Sequence, residues 1–180
     1  MHDVRRKLIL ILLVNLFIIM GCSEKSTLGR YVVRKDQQGT EMIVGQFPLS
    51  ALKTPAFPWF EKNFQAYIPD SQIIQNIKGK WDGVRILIVL GTWCPDSRRE
   101  VPRFYRIAEE TELSFSMIEL YGVDRKKMGT DATPEVYGIE RVPTFIFLKD
   151  GKEIGRIVES PSARPGGLEN DILEILSRAN

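Results

Sequence analysis

Residues 86–90 (Ile-Leu-Ile-Val-Leu) are apolar without alternation, which predicts a central strand covered on both faces. Directly after it, small or apolar residues recur at Ser97, Val101, Phe104, Tyr105 and Ala108, while Arg99, Arg103, Arg106 and Glu110 take the other side. That spacing predicts an amphipathic helix facing a core. Pro102 lies inside this helix, where a proline removes a hydrogen bond. Residues 113–120 alternate, with Phe115 and Met117 on one face, and read as the next strand. A polar loop at 123–133 leads to a short helix, with Thr133 as N-cap and Pro134 at the first helical position, ending near Gly138. Residues 145–148 and 154–158 predict a hairpin across Asp150-Gly151. Pro161, Pro165 and Gly166-Gly167 then break the chain before Leu168, Ile172, Ile175 and Leu176, the apolar stripe of a closing helix.

The first half of the chain is less regular. Tyr31-Val32-Val33 and Met42-Ile43-Val44 flank a polar, Gly-containing stretch, a pattern that suits either a short hairpin or a slack linker. Four prolines punctuate 48–69, yet Trp59, Phe60, Phe64 and Tyr67 recur at near-helical spacing after Pro58. These aromatics predict an amphipathic helix packed on the core; the competing reading has them rim a groove. Ser71 is a fair N-cap for a helix to about residue 77, with Ile73, Ile74 and Ile77 on one face, closed by Gly79 and Gly83.

At 180 residues and 43% hydrophobic, the chain has the length of one domain with one core. Its amino terminus changes the picture. Arg5, Arg6 and Lys7 precede an apolar run at 8–20, the n-region and h-region of a secretory signal, and that run is short for a spanning helix. Ile19-Met20-Gly21-Cys22 resembles a bacterial lipobox, which implies cleavage after Gly21 and lipidation of Cys22. An uncleaved anchor or a plain secreted precursor are the alternatives, and both also place the domain outside the cytoplasm. The expected organisation is a signal peptide at 1–21, a tether at 22–30, an N-terminal extension at 31–82 and the main domain at 83–180. Removing 1–21 takes Arg5, Arg6 and Lys7 from 25 basic residues and Asp3 from 23 acidic ones, leaving 22 of each. A neutral chain lacks the basic face that nucleic-acid binding needs. The only histidine, His2, leaves with the same segment, and Cys22 and Cys94 are the only cysteines. Metal sites built from paired Cys and His are excluded by count, and neither a metal nor a cofactor is expected.

The chemistry concentrates at Gly91-Thr92-Trp93-Cys94-Pro95-Asp96-Ser97, where the central strand hands over to the helix. The free N–H groups and the dipole of a helix start stabilise a thiolate, which is the reactive form of cysteine. Arg98, one turn on, leans toward the amino terminus and would add electrostatic support, while Asp96 would oppose it. A solvated helix face is the alternative for Arg98 and Arg99, and a small buried hydrophobe is the alternative for Cys94.

Trp93-Cys94-Pro95-Asp96-Ser97 resembles the Trp-Cys-x-x-Cys motif of thioredoxin-like thiol:disulfide oxidoreductases, with serine at the second cysteine position. Pro102 matches the proline of the family's active-site helix. Arg141-Val142-Pro143-Thr144 matches the loop whose cis-proline faces the active-site cysteine, and Lys149-Asp150-Gly151-Lys152 the hairpin turn beyond. The resemblance covers about residues 85–176. It implies an α/β thioredoxin-like fold, a central mixed β-sheet flanked by helices with an N-terminal extension. It also implies that Cys94 is the catalytic nucleophile, that Trp93 covers the sulfur, and that Val142, Pro143 and Thr144 line the substrate groove. The family's buried acid six positions before the cysteine is Ile88 here.

A dithiol enzyme resolves its mixed disulfide with the second cysteine, and Ser97 cannot. The expected function is therefore monothiol thiol–disulfide exchange in a bacterial cell envelope. The partners expected are a disulfide-containing protein or small-molecule thiol, an external thiol reductant and, through the lipid, a membrane. Ser23 after the lipidated cysteine mildly favours the outer membrane by analogy with sorting rules. The alternative is a redox-silent binding or chaperone-like module using the same groove. Peroxidase chemistry fits poorly, since Thr92 stands only two residues before Cys94.

Overall fold

The computed structural model describes residues 31–162 and 166–178. The expected signal segment, Cys22 and the expected tether fall outside these residues. A six-stranded sheet in the order β1-β2-β4-β3-β5-β6 organises the rest. Its strands are β1 (Tyr31–Lys35), β2 (Glu41–Phe47), β3 (Val84–Leu90), β4 (Ile118–Gly122), β5 (Thr144–Lys149) and β6 (Lys152–Val158). The helices are α1 (Trp59–Ala66), α2 (Ser71–Ile77), α3 (Pro95–Glu110), α4 (Thr133–Val136) and α5 (Gly167–Arg178). The central β3 runs parallel to β4 and antiparallel to β5, so the sheet is mixed, and the fold is thioredoxin-like.

The unbroken apolar run of β3 follows from what covers it. Ile86, Ile88 and Leu90 face the larger core with Val101, Phe104 and Tyr105 of α3 and Leu168, Ile172 and Leu176 of α5. Leu87 and Val89 face a smaller cluster with Tyr121, Val123, Ile139, Val142, Ile146 and Cys94. The thiol thus belongs to the packing of the central strand's second face.

Residues 31–47 form a hairpin, and it is part of the main sheet. Asp36 Oδ1 accepts from the backbone N–H groups of Gln38 and Thr40, both at 2.9 Å, and Gly39 takes φ 79°, which closes the turn. The second strand pairs with β4, Gly45 opposite Gly122. The aromatics of α1 go to the core: Phe60 is buried, meets Tyr105 edge-on at 5.7 Å and stacks on Phe64 at 6.3 Å.

Three boundaries differ from the sequence expectation. Strand β4 begins at Ile118, because 115–117 form a 3-10 turn capped by Ser114. The end of α3 explains the delay: Glu112 takes φ 63° and the Leu113 N–H returns to the Ala108 carbonyl at 2.9 Å, a Schellman-type close that uses up residues 111–113. At α2 the cap is Asp70 and not Ser71, its Oδ1 accepting from Gln72 and Ile73 N–H at 2.9 and 3.1 Å. At α4 Thr133 lies inside the helix, and its N–H donates to Asp131 Oδ1 at 2.9 Å. In both places a carboxylate upstream of the hydroxyl captures the free amide.

Candidate active site

Cys94 is the N-cap of α3, with extended backbone (φ −80°, ψ 127°), and Pro95 follows as the first helical residue. Its N–H donates to the Gly91 carbonyl at 2.8 Å, so 91–94 form a tight turn off the end of β3. The side chain is 7% exposed and its thiol donates to the Val142 carbonyl at 3.2 Å. The Val142–Pro143 peptide bond is cis. Thr144, the first residue of β5, is buried and donates from Oγ1 to the Arg141 carbonyl at 2.8 Å, bracing that loop. The helix start and the loop at 141–144, some 48 residues apart in the chain, therefore meet at the sulfur.

Ser97 is fully buried one turn into α3, and its Oγ accepts from the Gly91 N–H at 3.2 Å. Asp96 pairs with Arg99 at 2.6 Å, and Arg99 also reaches Glu100 at 2.5 Å and Ser160 at 2.8 Å. Glu100, buried beside it, is the main cause holding the Arg99 guanidinium even more firmly protonated than usual. The negative charge of Asp96 is thereby spent on a neighbour. Arg98 does not turn to the sulfur: its Nε donates to the Thr92 carbonyl at 2.7 Å.

Trp93 is held on two sides. Its indole N–H donates to the Val123 carbonyl at 3.0 Å, and the Arg125 guanidinium lies 5.1 Å from the ring centroid. Arg125 in turn donates from Nε to Asp36 at 2.8 Å, a bond that holds the Asp36 carboxyl below the ordinary carboxylate range. The hairpin turn of residues 36–40 is thus connected to Trp93. Thr92, fully buried, extends the same connection: its Oγ1 accepts from Ile43 N–H at 3.2 Å and donates to the Glu41 carbonyl at 3.3 Å. Sequence reasoning did not find Thr92, Val123 or Arg125 as supports of the motif. Thr92 carries the one local signal, a hydroxyl residue just beyond the apolar run of residues 86–90. Ile88, where the family's buried acid would stand, is fully buried in the larger core.

The sequence model of the family described as "Thioredoxin" matches residues 58–165. The chain belongs to the thioredoxin family. The chain is 33% identical over 92 residues to a thioredoxin-like protein of Acanthamoeba polyphaga mimivirus, covering 51% of this chain and 62% of that protein. It is 28% identical over 102 residues to a thioredoxin of Aspergillus fumigatus, covering 57% of this chain and 86% of the fungal one. Among solved structures, a Pseudomonas aeruginosa protein of unknown function superposes with TM-score 0.50 at 20% identity, over 68% of this chain and 81% of that one, a likeness of fold. Family membership supports a thiol–disulfide redox role at the level of the family.

Proposed function

We propose that this protein is a monothiol thiol–disulfide exchange protein of a bacterial cell envelope, with Cys94 as its nucleophile. The observation that supports this most directly is the placement of Cys94 and Ser97 on one helix turn. The single thiol sits at the helix start against the Val142 carbonyl, and the position of a resolving thiol is filled by a buried hydroxyl. In the first step the Cys94 thiolate attacks one sulfur of a substrate disulfide; a new S–S bond forms, the old one breaks, and the departing thiolate takes up a proton. Ser97 cannot form a disulfide, so an external thiolate attacks the mixed disulfide, regenerates Cys94 and carries the second sulfur away. No net electrons are lost, and the products are one thiol and one new disulfide.

The envelope location rests on the charged and apolar segment at 5–20 and on Ile19-Met20-Gly21-Cys22. Lipidation of Cys22 would anchor the protein stably only with more than one acyl chain. The groove residues in this reading are Val142, Pro143 and Thr144, with Trp93 as an apolar contact for the bound substrate.

An aromatic disulfide that liberates a coloured thiol tests the proposal. The protein should release one equivalent of the coloured thiol, hold the other half as a mixed disulfide on Cys94, and let it go only when free thiol is added. Cys94→Ala should release none. Failure of the unaltered protein to form the adduct would leave the fold as a redox-silent binding module.

A further inference from the structure

The four arginines of α3 are not alike. Arg99 pairs with Asp96 and Glu100, Arg103 with Glu100, and Arg106 with Glu109 and Glu110. Arg98 has no carboxylate partner among the described residues. Its Nε is committed to the Thr92 carbonyl at 2.7 Å, which fixes the guanidinium. Neither terminal amino group has a partner among the described residues.

This half-buried cation lines a cleft of about 760 Å³ between the β1–β2 turn and the segment leading into α1. One wall is apolar and aromatic, made by Pro55, Phe57, Pro58 and Trp59, with Phe57 and Trp59 packed edge-on at 6.2 Å. The opposite lip carries Lys35 and Glu41, which face each other at 3.9 Å and largely offset one another. The charge of Arg98 is the one left uncompensated. A cation drawn part-way out of water without a counter-charge is costly, and at this position an anion in the cleft would offset the cost. With Nε occupied, the outer edge of the guanidinium offers two parallel N–H donors, the geometry that suits a carboxylate. The neighbouring aromatic wall suits an apolar body of drug-like size.

We propose that this cleft binds a small organic monocarboxylate, its carboxylate on Arg98 and its apolar part on Pro58 and Trp59. The site lies on the β2 and α1 side of the motif, and its occupancy does not depend on Cys94 exchanging disulfides.

Calorimetric titration of the full-length protein with phenylpropionate tests this. Saturable binding is expected, with the neutral phenylpropionamide weaker by about tenfold or more, the loss that follows from removing a charge-assisted bidentate pair. Arg98→Gln should weaken phenylpropionate by a similar factor and leave the amide unchanged. The amide comparison needs no variant, so it stands even if Arg98→Gln folds poorly. No binding of phenylpropionate, equal binding of acid and amide, or undiminished binding by a folded Arg98→Gln would each overturn the site. Inorganic phosphate binding as tightly as phenylpropionate would overturn the assignment to an organic carboxylate.

Discussion

At the scale of single residues, position 97 decides what the thiol can do. Ser97 is fully buried with its Oγ on the Gly91 N–H, and a sulfur in its place stays within one atom of the same shape. Ser97→Cys should therefore convert single release into double release: the new thiolate attacks the Cys94 mixed disulfide and expels the second coloured thiol without added reductant. The second equivalent should come slowly, because Ile88 offers no proton acceptor. Release of one equivalent only would show that position 97 does not address the sulfur. Gly91 is a second single-residue test. A Cβ there would stand 2.6 Å from the Trp93 ring, so Gly91→Ala must displace the indole from its bond to Val123. The expected cost is about 1–3 kcal/mol of overpacking, read by thermal unfolding together with a shift in tryptophan emission. The motif itself was legible in the sequence because its parts are contiguous or fall at fixed spacing. The destinations of long polar side chains were not. Arg98 turns to Thr92 and not to sulfur, and Trp93 is steadied by Val123 and Arg125, because tertiary neighbours choose among the free rotamers of a long chain.

Among the elements, the rhythm of apolar residues located β3, α3, the β5–β6 hairpin and α5, since each buries a face that its period marks. Residues 31–47 were ambiguous for a physical reason. A two-stranded ribbon is marginal alone, and this one is held by its pairing to β4, about eighty residues downstream, which no local pattern encodes. Gly45 stands opposite Gly122 in that pairing. A Cβ on Gly122 would meet the Ile43 carbonyl oxygen at 2.1 Å, and backbone cannot yield as a side-chain tip does. Gly122→Ala should loosen β2 from β4, raising amide exchange through residues 41–47 while β3 and β5 stay protected; uniform protection throughout would contradict it. The caps lie one or two residues from the expected hydroxyls because an upstream carboxylate, Asp70 before Ser71 and Asp131 before Thr133, takes the free amides, and only the backbone dihedrals decide. Asp70→Ala should cost about 1 kcal/mol as the loss of a true N-cap, measured by denaturant midpoint, and Ser71→Ala much less.

Across the whole molecule, two tyrosines join segments remote in sequence and give stability an alkaline limit. Tyr105 of α3 is 1% exposed between Phe60 and Phe115, ring centroids at 5.7 and 5.1 Å, and burial raises its hydroxyl above the ordinary tyrosine range. Tyr67, after α1, donates to Glu169 of α5 at 2.8 Å, and burial first, then that carboxylate, raise it likewise. Both therefore hold their protons in the folded chain at a pH where the unfolded chain, near its ordinary value of about 10, releases them. Their contribution is complete below about pH 10 and declines as pH rises beyond it. One fully protected tyrosine costs about 1.4 kcal/mol of stability per pH unit there. Tyr105 approaches that limit, and Tyr67, partly open to solvent, contributes less. The urea midpoint should hold steady up to about pH 9 and fall steeply by about pH 11. Tyr105→Phe should flatten the fall, whatever it does to stability at neutral pH, because phenylalanine has no proton to lose. Tyr67→Phe should flatten it less and cost about 1–3 kcal/mol at neutral pH. Its removal leaves the buried Glu169 carboxylate oxygen with only the Asp70 N–H at 3.1 Å. An alkaline fall equally steep in the protein and in Tyr105→Phe would show that the buried phenol is not what sets the limit.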